Sequence, residues 1–252
     1  MTAAIRDTWL IFERSLYLTL KQPVWVIFGV IQPVMFLVLF GPLLEGAPTV
    51  SAANANAFNW FLPGLLMYLA LFSFFVGFGL IAELRNGVVE RMRVTPMSRV
   101  AMLLGRALRD VVILVSQAIL MMVIAIPFGL QVDPIGALVT LALLALVGLA
   151  TATFSYTLGL MTRSEDALAP IIQAISLPLL LLSGILLPMS LAPDWLRTLS
   201  TLNPLTHGVD AARALFNSDW SKPAIPLGVG IMVVLAALSV WIGSRAFSRA
   251  VA

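Results

Sequence analysis

Hydrophobic and charged positions separate along this chain into long blocks rather than alternating residue by residue. A bilayer core of about 30 Å needs roughly 20 residues of helix to cross it. Six runs without Asp, Glu, Lys or Arg meet that length: 22–44, 46–82, 111–132, 134–162, 167–193 and 223–244. The second run opens with small and polar residues, so its membrane part is predicted to begin near Trp60. The pattern predicts an all-α polytopic membrane protein with six transmembrane helices.

The residues before the first run form a different, amphipathic pattern. Apolar side chains recur there at helical spacing, and charged residues occupy the other positions. This predicts an interface helix over residues 1–21, with Trp9 and Phe12 on its apolar side and Glu13 and Arg14 on its polar side. A simple membrane anchor is the alternative for this helix.

The fourth run carries a feature that predicts close helix packing. Thr151, Ser155 and Gly159 in the fourth run are spaced by four, and small residues at that spacing let helices approach closely. We expect these small residues to pack helices within one chain rather than to form an interface between two copies.

The fifth run contains Pro170 and Pro178, which predict a broken helix because proline removes backbone hydrogen bonds. The polar residues of this run fall near one face and are expected to point inward, toward other helices or a pathway. They are Gln173, Ser176 and Ser183.

Residues 188–222 predict two helices that are too short to cross a bilayer. Pro193 and Pro204 stand where each helix can begin, because proline is tolerated at the first helical position. We expect external half-helices with local ion pairs between Asp and Arg three residues apart. The candidate residues of this region are Asn203, Pro204, Asp210 and Arg213, with a further pair formed by Asp194 and Arg197.

Charge decides the orientation of the predicted helices. The chain has 15 Lys and Arg residues and a formal charge of +3, and 12 of the 15 fall on the side that also holds both termini. The positive-inside rule places that side in the cytoplasm. The basic balance therefore reflects topology, and we expect no nucleic-acid partner.

Several kinds of chemistry have no residues to support them. Lys21 and Lys222 are the two lysines and neither follows the glycine spacing of a phosphate-binding loop, so no ATP site is expected on this chain. A single histidine, His207, and no cysteine leave no candidate metal cluster. No predicted span holds a charged residue, whereas ion-coupled carriers usually keep such groups in the membrane. The energy source is therefore expected on another polypeptide.

Residues 83–99, here called the charged segment, stand out from this apolar chain. Glu83 to Val94 is predicted to be helical, followed by a bend at Thr95 and Pro96. A basic loop that only fixes topology is the alternative, but interleaved glutamates and a Thr-Pro bend favour docking to a partner. The predicted docking residues are Glu83, Arg85, Glu90, Arg91, Arg93, Thr95 and Pro96.

The stretch 87–110 resembles the cytoplasmic loop of type 2 ATP-binding-cassette (ABC) exporter permeases, especially the daunorubicin-resistance and nodulation-factor branch. It differs at Val88, where threonine is common, and at Met92. The matching residues are Gly87, Glu90, Arg91, Val94, Thr95, Pro96, Ser98, Arg99, Leu104, Gly105 and Arg106.

A second resemblance precedes the last predicted span, although His207 stands where the family often has an aromatic residue. The matching residues there are Asn203, Pro204, Leu205, Thr206, Asp210 and Arg213. With the six runs, the resemblance covers essentially the whole chain.

The resemblance implies a permease domain over 1–252 that pairs with a second permease copy or paralogue and docks two ABC ATP-binding subunits, which bind ATP and Mg²⁺. The charged segment would be the coupling helix of that family. The expected location is the bacterial plasma membrane, in contact with membrane lipids. The expected function is export of a hydrophobic small molecule, a drug, an antibiotic or a lipid. A polysaccharide or glycolipid exporter, a secondary carrier and a structural membrane partner are the alternatives.

Aromatic side chains are concentrated in the second predicted span, which suits flat apolar substrates. Phe72 and Phe75, together with Gln173 and Ser176, are the candidates for a substrate pathway. Ordinary packing and lipid contact is the alternative for each ring.

Overall fold

The computed structural model of the protein describes residues 2–21, 23–44, 57–87, 98–131, 133–186 and 189–250. Within these ranges the regular structure is helical. The α-helices are α1 (Thr2–Leu20), α2 (Pro23–Leu44), α3 (Ala57–Leu71), α4 (Val76–Arg85), α5 (Arg99–Ala125), α6 (Pro134–Thr162), α7 (Glu165–Leu182), α8 (Asp194–Thr201), α9 (Pro204–Phe216) and α10 (Ala224–Ala250). Short 3-10 helices lie at Phe72–Phe75, Ile126–Phe128 and Met189–Leu191.

The helices confirm the prediction of an all-α polytopic membrane protein. Five stretches of the described residues are long and apolar enough to cross a membrane, and a shorter apolar stretch, Gly29–Leu43, lies within α2. The five are Ala57–Arg85, Val100–Phe128, Pro134–Thr162, Glu165–Leu182 and Ala224–Phe247. The number of six spans stays a prediction.

Helix ends do not coincide with the ends of the charge-free runs. The helix of the second run continues through Glu83 to Arg85, and α5 begins at Arg99, well before the third run. Charges end an apolar run without ending a helix, because a helix continues wherever its flank packs or its polar groups find partners. Charged residues on both sides of residues 88–97 therefore lie inside long helices.

The helix of the fifth run is continuous, so the prediction of a broken helix at Pro170 and Pro178 is wrong. Both prolines lie inside α7, which extends from Glu165 to Leu182. Each proline removes one backbone hydrogen bond, and helices in membrane proteins tolerate that local loss because the surrounding turns keep theirs.

A close helix contact joins α6 to the helix of the second run, as the small residues at spacing four predict. The Thr151 hydroxyl donates to the carbonyl of Ala70 at 3.2 Å, and the Ser155 hydroxyl donates to the carbonyl of Phe74. The Gly77 amide in turn donates to Ser155 Oγ at 2.9 Å. These residues are used within one chain, at the centre of the bundle.

The predicted interface helix is confirmed as a helix over Thr2–Leu20, and it packs along the first turns of α5. Ile11 and Phe12 are buried there, and a Cβ atom on Gly105 would lie 2.8 Å from the carbonyl oxygen of Thr8. Trp9, by contrast, is 58% exposed. α1 therefore has one face against the bundle and a second apolar face outside it.

The contact between α4 and α6 predicts opposite results for two glycines of α4. Alanine at Gly77 would bring its Cβ within 2.7 Å of the Ser155 backbone oxygen, whereas Gly79 has no neighbouring atom within 4 Å. We expect Gly77→Ala to destabilise the protein by about 1–3 kcal/mol through overpacking. Gly79→Ala should be neutral or stabilise the helix by up to about 1 kcal/mol.

Thermal unfolding of the two variants in detergent measures this difference. An equal melting temperature for Gly77→Ala and Gly79→Ala would contradict the close contact between α4 and α6.

Candidate functional site

The candidate docking residues divide into described and undescribed ones. Glu83 and Arg85 lie in the last turn of α4. The other five, Glu90, Arg91, Arg93, Thr95 and Pro96, lie in 88–97, outside the described residues. Their docking role stays a prediction, and the structure instead shows what holds the two flanks of that stretch.

The two flanks of residues 88–97, the end of α4 and the beginning of α5, are joined by an ion pair. Glu83, at the end of α4, accepts a hydrogen bond from the Arg106 guanidinium of α5, whose side chain is buried. Arg85 lies 3.5 Å from Glu165, the first residue of α7, and both of these side chains are substantially exposed. An exposed pair is weak, while a buried one is costly to break. The Glu83–Arg106 pair, with the Arg106 side chain 4% and the Glu83 side chain 36% exposed, is therefore the stronger of these two ion pairs.

A second group of charges is buried one turn further along α5. Arg109 Nε donates to Asp110 Oδ1 at 2.9 Å, and Arg109 Nη2 donates to the hydroxyl oxygen of Tyr156 at 2.9 Å. That hydroxyl donates to Asp110 Oδ2. Asp110 and Tyr156 are both buried. Three groups that would be costly alone thus satisfy one another between α5 and α6.

Helix α1 joins the same region through two hydrogen bonds. Asp7 Oδ2 accepts from the Ser98 amide at 3.3 Å, where α5 begins. Arg109 donates to the Thr19 hydroxyl oxygen at 3.4 Å. The residues Glu83, Arg106, Arg109, Asp110, Tyr156 and Thr19 are here called the charged cluster, and the end of the bundle that holds them the charged end.

The sequence interpretation missed this cluster. Arg106 and Arg109 were counted among the charges that orient the chain, and Asp110 was taken as the boundary of the third apolar run, but all three lie inside helix α5. A signal was available, because positions 106, 109 and 110 fall on one face of a helix. The partner Tyr156 lies 46 residues away from Asp110, and no local pattern indicates it.

The predicted interface-helix residues have two environments. The Trp9 and Phe12 rings contact each other with centroids 5.2 Å apart, although Phe12 is buried and Trp9 is exposed. Glu13 and Arg14 are exposed. The polar face of α1 is thus open to a partner or to lipid headgroups.

Phe72 and Phe75, two of the candidate pathway residues, belong to a continuous series of ring contacts. Neighbouring centroids in the series are 5.2–6.4 Å apart. All the rings are at least partly exposed in the single chain. The series, here called the aromatic ladder, consists of Phe40, Phe36, Tyr68, Phe72, Phe75 and Phe78.

One polar contact interrupts the apolar character of the ladder. Gln32 of α2 donates from its side-chain amide to the Tyr68 hydroxyl at 3.0 Å, and Gln32 is exposed. Phe74, the neighbour of the ladder rings, instead packs against Phe154 of α6 and is buried. The ladder therefore lies on a different side of the helix from the core.

Gln173 and Ser176 are not joined to another helix by hydrogen bonds within the described chain. Gln173 is exposed, and the Ser176 hydroxyl donates to the carbonyl of Ile172 at 2.6 Å, within α7. The inward orientation expected for this polar stripe is thus not seen for Gln173 and Ser176 in the single chain, because α7 buries little more than Leu168 and Ile172, whereas Ser183, the third residue of the stripe, is buried. Its helix does pack beside the 3-10 helix that carries Phe72 and Phe75.

At the opposite end of the bundle, the predicted half-helices are present as α8 and α9. Asn203 precedes Pro204, the first residue of α9, and its Oδ1 accepts from the Leu205 amide at 3.0 Å. Asn203 Nδ2 donates to the carbonyl of Leu179 in α7 at 2.8 Å. This residue therefore both caps α9 and fixes it to α7.

Arg213 of α9 forms the other anchor at this end. Its Nε donates to the carbonyl of Trp60 at 3.2 Å and its Nη2 to the carbonyl of Gly184 at 2.8 Å. The guanidinium carbon also lies 4.1 Å from the centre of a Trp60 ring. Burial lowers the pKa of the Arg213 guanidinium to about 10, so the side chain remains protonated at neutral pH.

Of the two local ion pairs predicted in this region, one is present. Asp194 and Arg197 approach to 3.8 Å on the surface of α8. The predicted Asp210–Arg213 ion pair is wrong, since Arg213 donates to backbone carbonyls and Asp210 is exposed. The backbone carbonyls of Trp60 and Gly184 accept hydrogen bonds from the Arg213 guanidinium in place of the Asp210 carboxylate.

Comparison with known proteins adds a family to this geometry. Residues 6–217 match the family model described as ABC-2 type transporter. The chain is 31% identical over 221 residues to a Cyanophora paradoxa protein named transport permease ycf38, covering 86% of this chain and 76% of that protein. A protein of the same name from Porphyra purpurea is 24% identical over 222 residues, with coverage of 86% and 76%. A multidrug ABC transporter permease named YbhR, from Escherichia coli K12, is 22% identical over 219 residues, covering 82% of this chain and 58% of that protein.

The anchor at Arg213 predicts a large effect of its removal. Arg213→Met keeps the apolar stem and leaves the Trp60 and Gly184 carbonyls without their donor. The loss of a hydrogen bond from a charged donor costs about 1.5–3 kcal/mol. We expect a clear drop of the melting temperature in detergent.

Arg197→Met is the matched control, because Arg197 lies on the exposed side of the neighbouring helix. If both variants melt at the same temperature, Arg213 does not anchor α9.

Proposed function

The chain belongs to the ABC-2 type transporter family and is the permease subunit of an ABC transporter, and from this premise we propose that its complex exports a hydrophobic small molecule from the cell. The family implies an ABC ATP-binding partner and dimerisation. The proposal adds that two ATP-binding subunits bind ATP and Mg²⁺ and dock on a pair of permease chains. It also adds that the complex lies in a bacterial plasma membrane with the charged end in the cytoplasm.

The aromatic ladder is the observation that carries the substrate class. Stacked and edge-to-face rings recognise flat apolar molecules, and each such contact is worth about 0.5–1.5 kcal/mol. The proposed substrates are therefore planar aromatic drugs or antibiotics first, and lipids second.

The Gln32–Tyr68 pair adds a polar element to this surface. Its amide and hydroxyl retain hydrogen-bonding capacity, since an amide has two donors and an acceptor. A substrate with a single carbonyl or hydroxyl group fits such a surface better than a pure hydrocarbon. The Escherichia coli relative is named a multidrug ABC transporter permease, which agrees with this choice.

Docking of the ATP-binding subunit is proposed for the residues between the two flanks. Glu83 is engaged with Arg106 and Arg85 with Glu165, so these two have partners within the chain. Glu90, Arg91, Arg93 and Thr95 are then the residues proposed to contact the ATPase, supported by charge-assisted hydrogen bonds in a polar cleft. The exposed polar face of α1, with Glu13 and Arg14, is the second proposed contact.

The docking proposal is tested by charge reversal. Glu90→Arg combined with Arg91→Glu should uncouple ATP hydrolysis from export, because like charges then oppose the partner's groups. Export and ATPase activity are measured on the reconstituted complex, and membrane insertion should be unchanged. Reversal of Asp194 and Arg197, an exposed pair at the other end, is the control. Normal export by the first variant would refute docking at these positions.

The substrate proposal is tested by stimulation of ATPase activity across a panel of planar aromatic drugs and phospholipids. We expect the drugs to stimulate the complex, and Phe75→Leu to raise the half-stimulating drug concentration by roughly 2- to 10-fold, the equivalent of one ring contact. Phe128→Leu is the control, since Phe128 is as exposed as Phe75, 39% against 41%, and lies outside the ladder. Stimulation by phospholipids alone would favour the lipid substrate class instead.

A further inference from the structure

The charged cluster includes residues of α4 and α5, the two flanks of residues 88–97, and a residue of α6, the next membrane helix. Its members come from α1, α4, α5 and α6, which are otherwise separate in the chain. Nothing in the docking or substrate proposals uses Arg109, Asp110 or Tyr156. The question is what three mutually bonded, buried polar groups do at this position.

Two links lie in series between residues 88–97 and α6. The first is Glu83–Arg106, which makes the end of α4 and the beginning of α5 move together. The second is the group formed by Arg109, Asp110 and Tyr156, in which one carboxylate and one hydroxyl connect α5 to α6. These two links connect the flanks to α6 through side chains; Arg106, Asp110 and Tyr156 are buried, so water does not replace a partner that they lose, whereas Glu83 is 36% and Arg109 21% exposed.

Helix α7 is attached differently at this end. Its ion pair to the flank, Arg85–Glu165, is 3.5 Å long with side chains 68% and 40% exposed. Water can replace either partner of such a pair, so it holds its helices weakly. The structure thus contains one firmly joined block, α1, α4, α5 and α6, beside a loosely joined helix.

We propose that Arg109, Asp110 and Tyr156 are positioning residues that transmit movement of residues 88–97 from α5 to α6 when the ATP-binding subunits close. The inference rests on the proposed function, since it requires a partner that moves this segment. The group touches neither ATP nor substrate, and it acts by keeping α6 in register with α5. Loss of the group should leave the segment free to move while α6 no longer follows.

The experiment uses two reporters on the full complex. The chain has no cysteine, so single cysteines can be introduced and labelled without background. Val100→Cys lies at the start of α5, beside the segment, and Met161→Cys at the end of α6; the two side chains are 39% and 74% exposed. A fluorescent label at each site is followed before and after addition of ATP and Mg²⁺.

In the unmodified background we expect both labels to respond to ATP. In Tyr156→Phe, which removes one hydroxyl, the response at Val100→Cys should persist and the response at Met161→Cys should be lost. Asp110→Asn, which keeps the shape and removes the charge, should give the same result. Tyr17→Phe is the matched control, because Tyr17 is an exposed tyrosine on α1.

The alternative results separate the two ideas. If neither label responds in the unmodified background, ATP does not move this end of the chain, and the proposed function fails together with the inference. If both labels still respond in Tyr156→Phe and Asp110→Asn, the group is structural only and the inference alone is overturned. Failure of both variants to assemble with the ATP-binding subunit, with Tyr17→Phe assembling normally, would likewise assign the group to folding.

Discussion

A polar group inside a helical membrane bundle has no water to bond, and the structure of this chain depends on how each such group finds a protein partner. The centre of the bundle meets this constraint with hydroxyls and backbone carbonyls, at Thr151 and Ser155. These bonds require α6 and the helix of the second run to be in contact, which is why Gly77 and Gly159 stand at the crossing. The same contact between α6 and the helix of the second run therefore provides close packing and the hydrogen bonds of these hydroxyls.

The two ends of the bundle meet the constraint in different ways. At the charged end, acidic and basic side chains pair with one another: Glu83–Arg106 joins α4 to α5, Tyr156–Asp110 joins α6 to α5, and Arg109–Asp110 lies within α5. At the opposite end, Arg213 and Asn203 bond to backbone carbonyls of α3, of α7 and of Gly184, which follows α7. Side-chain pairs hold helices at a fixed register, whereas carbonyls at helix ends fix the short helices α8 and α9 over the bundle.

Much of the fold follows from the pattern of the sequence, and the exceptions have specific causes. The short helices at Asp194 and Pro204 were predicted because the positions of Pro193 and Pro204 are local signals. The continuity of α7 through Pro170 and Pro178 was not, since a helix survives a missing bond when its other turns hold. The Asp210–Arg213 pair failed because spacing states only which residues can meet, while the buried carbonyls of Trp60 and Gly184 compete for the same guanidinium.

The sequence by itself determined the membrane class, the positions of the apolar helices and the family, because each depends on composition or on motifs within one short segment. Only the tertiary structure decided which charges are buried and what they bond. Glu83 meets Arg106 across 23 residues, and Asp110 meets Tyr156 across 46. Such pairs exist only after particular helices have become neighbours, since the free energy of a buried charge depends on partners that no local segment contains.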